Sequence, residues 1–284
     1  MNKGIFIGGA SMSQNQDPII VTINQEKGGV GKSFIAFNFA NYLAVEHDKR
    51  VLVIDKDFQC NISEIFDVYE QKDTVANILT GKGDVKVHSV RPNIDLIGGN
   101  KNLAAIQESM ATSSNKEMKL YMWLPDNFEK YDLGQYDFIV IDTHNDFGTA
   151  TKNAIAVSDM LIAPITPSTL SSDASIKWNL EDFKEGAVDY VTRKSYIKAD
   201  LKLVANLIRG TTDNGKDFEA YVDENPEYIA KFRLLDDYDK TIQEKLALSE
   251  KYKDTKNKRI LKFKKPFDEN MEAIYQAALK SVEK

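Results

Sequence analysis

Residues 19–33 read Ile19-Ile20-Val21-Thr22-Ile23-Asn24-Gln25-Glu26-Lys27-Gly28-Gly29-Val30-Gly31-Lys32-Ser33. The first five residues are apolar or β-branched and suit a buried strand. The stretch Ser33–Glu46 that follows carries Phe34, Phe37, Phe39, Ala40, Leu43 and Ala44 at helical spacing. Between strand and helix, glycines let the backbone turn sharply and aim successive N–H groups into one concavity, which suits an anionic phosphate. The helix adds the positive end of its dipole. Lys32 can reach the β- and γ-phosphates of a nucleotide, and the Ser33 hydroxyl can ligate Mg²⁺. The phosphate cradle is therefore assigned to Gly28, Gly29, Val30, Gly31, Lys32, Ser33 and Phe34. The bland alternative is a glycine-rich turn with no ligand, and a full motif in strand–loop–helix order argues against it.

Further along, short apolar runs alternate with longer amphipathic stretches, the signature of βαβ units around a parallel sheet. Candidate strands are Ile19–Ile23, Val51–Ile54, Ile94–Ile97, Phe138–Ile141, Met160–Ala163, Leu203–Ala205 and Ile260–Phe263. Ser113–Leu133 reads as helix and loop, and Thr211–Lys258 as helical without a clear boundary. The expectation is an α/β single-domain P-loop fold. Its mostly parallel twisted sheet would have seven or eight strands, with helices on both faces. Residues 1–17 read as a flexible polar leader and 18–284 as the domain.

With 284 residues, 42% hydrophobic and 28% charged, the chain suits a soluble globular protein with a sizeable core. No apolar run approaches the roughly 20 residues that span a bilayer. The single cysteine, Cys60, excludes an internal disulfide and a self-contained cysteine metal site, and a cytoplasmic location is expected. Charge is uneven. Lys251, Lys253, Lys256, Lys258, Arg259, Lys262, Lys264 and Lys265 face one acid, Asp254, in a chain of net charge −6. Such a stretch is either a polyanion contact or a solvated lysine-rich loop.

Two runs end in carboxylates. Val51-Leu52-Val53-Ile54-Asp55-Lys56-Asp57 delivers two to the C-terminal end of a strand, the edge where parallel sheets bind ligands. Tyr136-Asp137-Phe138-Ile139-Val140-Ile141-Asp142 delivers Asp142 to the same rim, where it can hold Mg²⁺ with Ser33. His144 follows closely. With three histidines in the chain and no nucleophile or second ligand paired with it, it reads as a loop residue.

The ordinary P-loop has glycine at position 26; here Glu26 stands there, and an extra lysine, Lys27, precedes Gly28-Gly29. This arrangement resembles the deviant Walker A ATPases of the ParA and MinD superfamily. Asp55-Lys56-Asp57-Phe58-Gln59-Cys60-Asn61 is similar to a family stretch with proline at Phe58 and glycine at Cys60. After Asp142 many relatives have two prolines, where this chain continues Thr143-His144-Asn145-Asp146. The resemblance implies that Lys27 crosses a dimer interface to the partner's triphosphate and acts with Lys32 and Asp57 in catalysis. Asp57 would orient the attacking water, Asp55 being the alternative, and Asp55 would join Ser33 and Asp142 around Mg²⁺ in the outer shell. Asn206 would meet the adenine, and Pro266 would lie in a loop covering it.

The branch is read from what is missing. Cys60 alone cannot share an iron–sulfur cluster, and the tail Asp268–Lys284 has one tyrosine where the related kinases have several. Met271, Ile274, Ala278 and Leu279 lie at helical spacing there, but Glu269, Glu272 and Glu283 would be repelled by anionic lipid. The resemblance therefore implies a Soj-like partition ATPase using ATP and Mg²⁺. It would form an ATP-dependent homodimer on nucleoid DNA, bind non-specific DNA through the lysine-rich stretch, and respond to a small centromere-binding protein, with no membrane. The alternative is a MinD-like positioning ATPase on a membrane or protein scaffold.

Overall fold

The structure, a computed structural model, describes residues 17–170, 172–234 and 241–283; the expected leader, apart from Asp17, lies outside them. Ile19–Ile23 forms β1, Lys32–Glu46 α1 and Val51–Lys56 β2. Asn61–Ile65 (α2) and Val75–Thr80 (α3) lead to Val87–Arg91 (β3) and Ile94–Ile97 (β4). Leu103–Ser109 (α4), Lys119–Asn127 (α5), Phe138–Thr143 (β5), Thr149–Val157 (α6) and Met160–Ile165 (β6) follow. Then come Ser172–Gly186 (α7), Asp200–Ile208 (β7), Asp213–Glu224 (α8) and Tyr228–Arg233 (β8). The helices Leu248–Asp254 (α9), Lys258–Leu261 (α10) and Lys264–Ser281 (α11) come last.

The strands make one eight-stranded sheet in the order β3-β4-β2-β5-β1-β6-β7-β8. Every neighbouring pair is parallel except β3 with β4. The expected α/β sheet is therefore present. β2, β5 and β6 are buried along their whole length, because helices cover both faces and the apolar side chains pack against them. On one face Val21, Val53 and Val140 pack with Phe37 and Phe39 of α1 and Met271 and Ile274 of α11. On the other, Leu52, Ile54 and Ile141 meet Leu79 of α3, Leu120 and Leu124 of α5 and Ala154 of α6. Each such burial contributes about 1.5–3 kcal/mol.

The apolar stripe of α11 is consumed by this core. Phe267, Met271, Ile274, Tyr275 and Ala278 are all buried, and Glu272 accepts a hydrogen bond from Tyr42 (3.0 Å) at the end of α1. No helix among the described residues is long and apolar enough to cross a membrane.

Three readings of the sequence are corrected. Ile260–Phe263 is not a strand: Ile260 and Leu261 belong to the short helix α10 and Phe263 precedes α11. A four-residue apolar run carries too little periodicity to separate helix from strand. Thr211–Lys258 is not all helical, since β8 lies inside it with Tyr228, Ala230 and Phe232 buried at strand period. β3, the antiparallel edge, was not expected; its half-exposed residues give no clean alternation.

Candidate functional site

Parallel register brings the chemistry together. Asp142 lies opposite Ile23 on one side and Asp55 on the other, so β1, β2 and β5 end at one point on the sheet edge. There the glycine loop crosses into α1, with Gly29 at φ +71° and Gly31 at φ +89°, in the left-handed region that favours glycine. A cleft of about 700 Å³ opens above it, lined by residues 28–34 together with Asp57 and Asn145.

Beneath the loop sits Asn206, at the end of β7. Its wholly buried amide donates to the Val30 carbonyl (2.8 Å), while its Oδ1 is buried without a partner. A Cβ at Gly31 would fall 2.2 Å from Asn206 Nδ2. Gly31→Ala therefore meets both a clash and an unfavourable φ. It is expected to lower stability by at least about 2 kcal/mol in urea unfolding. A change within about 0.5 kcal/mol, the range of ordinary surface substitutions, would show that this packing is not as described.

Lys32 is buried and donates from Nζ to the Gln25 carbonyl (3.1 Å). Burial holds its pKa below the usual lysine value, while Asp142, Asp57 and Asp146 pull it back up. Asp142 has no solvent exposure, and neither carboxylate oxygen has a hydrogen-bond partner at good geometry. Burial first, then the neighbouring Asp55, push its pKa up to about 8, with Ser33 and Lys32 acting the other way. An orphaned carboxylate beside a serine hydroxyl is the donor set that Mg²⁺ takes when it binds through one or two protein oxygens and substrate phosphates. The residues present therefore fit that ion.

The two expected carboxylates at the end of β2, Asp55 in the strand and Asp57 just after it, have different surroundings. Asp55 is fully committed: its oxygens accept from Asp57 N (3.0 Å), Ser63 N (3.0 Å) and Ser63 Oγ (2.6 Å), which organises the loop into α2. Burial pushes its pKa up to about 6. Gly99 is needed here, since a Cβ would lie 2.9 Å from the Asp55 carboxylate. Asp57, in contrast, lines the cleft. Its Oδ1 accepts from Gln59 N (2.8 Å) and lies 2.8 Å from His144 Nδ1. Cys60 is buried, and burial pushes its thiol up to about 12.

Some functional contacts had no sequence signal. Glu26 accepts from Asn179 Nδ2 and Ser175 Oγ (3.3 Å), which ties the entrance of the phosphate loop to α7. Asn24, wholly buried, donates from Nδ2 to Thr143 Oγ1 and to the carbonyls of His144 and Asp146, pinning the loop after β5 to the end of β1. Lys27 is exposed and forms no ion pair among the described residues.

The cleft does not reach Pro266, which sits exposed in the first turn of α11, a position where a helix tolerates proline. Leu207, Ile242, Gln243 and Lys245 line the cleft instead. Pro266 thus lies in a helix and not in the expected loop.

The basic stretch is spread over α9, α10 and α11. Lys251 pairs with Glu244 (3.1 Å), Lys253 donates to the Val45 carbonyl (3.0 Å), and Lys264 and Lys265 pair with Asp268 and Glu269 one turn on. Lys256, Lys258 and Lys262 are exposed; the side chain of Arg259 lies outside the described residues.

Comparisons with known proteins follow the same line. A profile of the AAA domain family matches residues 18–184, more than half of the chain. The chromosome partitioning protein ParA of Caulobacter vibrioides is 28% identical over 160 residues, covering 54% of this chain and 58% of that protein. The chain thus spans little more than half the length of such curated relatives. A plasmid partition protein from Borrelia burgdorferi superposes with TM-score 0.66 at 23% identity, covering 81% of this chain and 96% of that one. Cobyrinic acid a,c-diamide synthase from Mycobacterium smegmatis, with bound ATP analogue and magnesium, gives TM-score 0.61 at 20% identity, covering 75% and 82%. At such identities these two likenesses show the fold.

Proposed function

The chain belongs to the AAA domain family, and we propose that within it the chain is a ParA/MinD-type, ATP-dependent DNA partition ATPase. In this reading it dimerises on ATP, binds DNA without sequence preference and hydrolyses ATP when a small centromere-binding partner stimulates it. What supports the reading is one observation: Lys32, Ser33 and Asp57 line one cleft with Asp142 buried next to Lys32 and Ser33, while the second lysine, Lys27, stays exposed beside it.

Each residue then has a role. The loop amides and Lys32 bind the β- and γ-phosphates, as in other P-loops. Ser33 and Asp142 hold Mg²⁺, with Asp55 behind Asp142; the ion supplies charge neutralisation at the phosphates. Asp57 orients the attacking water. Lys27 reaches the triphosphate of a second subunit and stabilises charge there, as an arginine finger does in trans. Asn206 offers its unpartnered Oδ1 to the adenine amine. Lys256, Lys258 and Lys262 contact DNA phosphates, and their paired neighbours Lys251, Lys253, Lys264 and Lys265 exchange carboxylates for phosphate. Such contacts supply affinity without reading bases, and dimerisation doubles them.

The test is retention on non-specific DNA with ATP, ADP or no nucleotide, for the wild type and Lys32→Ala. Retention is expected with ATP alone, falling as salt rises and lost in Lys32→Ala. Equal, negligible retention in every condition, with ATP shown to bind, would remove DNA from the reading and direct attention to membrane or protein scaffolds.

A further inference from the structure

We propose that His144 is a positioning residue for the hydrolytic carboxylate: its imidazole holds Asp57 so that one carboxylate oxygen stays free for the attacking water. The inference rests on the ATPase reading above. Asp57 Oδ1 accepts the Gln59 backbone N–H at 2.8 Å and lies 2.8 Å from His144 Nδ1. An ionised carboxylate only accepts, so Nδ1 supplies the hydrogen. Both bonds fall on the same oxygen. Together they fix rotation of the carboxylate, and Oδ2 accepts none from the described residues while Asp57 faces the cleft.

The imidazole is itself held from two directions. Its ring lies 3.8 Å from the Phe58 ring, tilted by 37°. Its backbone carbonyl accepts from Asn24 Nδ2 at 3.1 Å, and the same amide reaches Thr143 Oγ1 (2.9 Å) and the Asp146 carbonyl (3.1 Å). Asn24 is wholly buried at the end of β1, directly ahead of the phosphate loop. The strand that carries the phosphate loop thereby also sets where the histidine stands. Phe58 and His144 are two places where the chain departs from the residues it otherwise resembles, and the two departures meet in one stack. A loop histidine with no task would need neither the stack nor a half-buried bond to the hydrolytic carboxylate, since surface pairs contribute little.

The test compares single-turnover hydrolysis of bound ATP, and separately ATP affinity, in the full chain. His144→Phe keeps a ring against Phe58 and deletes the donor; His144→Asn keeps a donor near the Nδ1 position. We expect His144→Phe to slow hydrolysis on the order of tenfold to a hundredfold with ATP affinity unchanged, the signature of lost orientation. His144→Asn should recover most of that loss. Asp57→Ala combined with His144→Phe should be no slower than Asp57→Ala alone, because residues acting as a unit are not additive. Wild-type turnover that survives His144→Phe unchanged would overturn the inference. So would a loss of rate matched by a loss of affinity or melting temperature and not rescued by asparagine. A wild type that binds ATP but hydrolyses none even with DNA and a centromere-binding partner present would overturn the parent reading, and this one with it.

Discussion

Asp142→Asn is expected to make the ligand-free protein more stable and to abolish its Mg²⁺-dependent ATP hydrolysis. The reason is the same carboxylate in two settings. Asp142 is fully buried, neither oxygen has a hydrogen-bond partner at good geometry among the described residues, and burial pushes its pKa up to about 8. In the unfolded chain an aspartate titrates near its ordinary value of about 3.9. Between these values the folded state binds more protons than the unfolded one, so this group's contribution to stability falls as pH rises from about 4 towards 8. An asparagine of similar shape carries no charge and escapes that penalty, at a gain on the order of 1–3 kcal/mol near pH 8 and little near pH 5. Lys32 and Ser33 offset part of it already. Hydrolysis should fall at least about a hundredfold, since a preorganised charge for the ion is lost. Thermal unfolding of both proteins at pH 5 and pH 8 measures the stability change, and phosphate release from ATP with Mg²⁺ measures the loss of hydrolysis. A variant less stable than wild type at pH 8 would contradict the description of Asp142 as an unpartnered buried anion.

The second large effect is that of Lys32→Ala, which should lose nucleotide and destabilise the empty protein together. Lys32 is the cation among Asp142, Asp57 and Asp146, and all three raise its pKa against the effect of burial. Removing it leaves that cluster without its cation, and an uncompensated buried charge is strongly destabilising. ATP affinity should drop by about two orders of magnitude or more, as expected when a buried charge-assisted contact is removed. The double variant Lys32→Ala with Asp142→Asn should recover stability but neither affinity nor turnover. Their coupling, on the order of 1–3 kcal/mol, is that of groups in direct electrostatic contact. Calorimetric ATP titration and melting of the four proteins give the cycle. Additive stabilities, or a Lys32→Ala protein that binds ATP like wild type, would remove Lys32 from the centre of the site.

Residues 19–33 by themselves determined the phosphate loop, its strand and its helix, because those choices are local: glycine where φ is positive, apolar residues where both faces are covered, and a lysine at the helix start. The ends of β2 and β5 were legible for the same reason, as apolar runs stopping at a carboxylate. What each carboxylate touches was decided only by the tertiary structure. Asp55 and Asp57 are two residues apart, yet one is consumed by Ser63 of α2 and the other lines the cleft. His144 looked like a loop residue because its partner, Asp57, is 87 positions away in the chain. Glu26 looked like a departure from the motif until α7 supplied Asn179. The supposed strand at Ile260–Phe263 is helix in the structure, since a short run fits helix or strand until its neighbours choose. Local conformation follows from side chains a few residues apart and can be read along the chain. The partner of a polar group follows from parallel strands that join distant residues, and only the folded sheet supplies it.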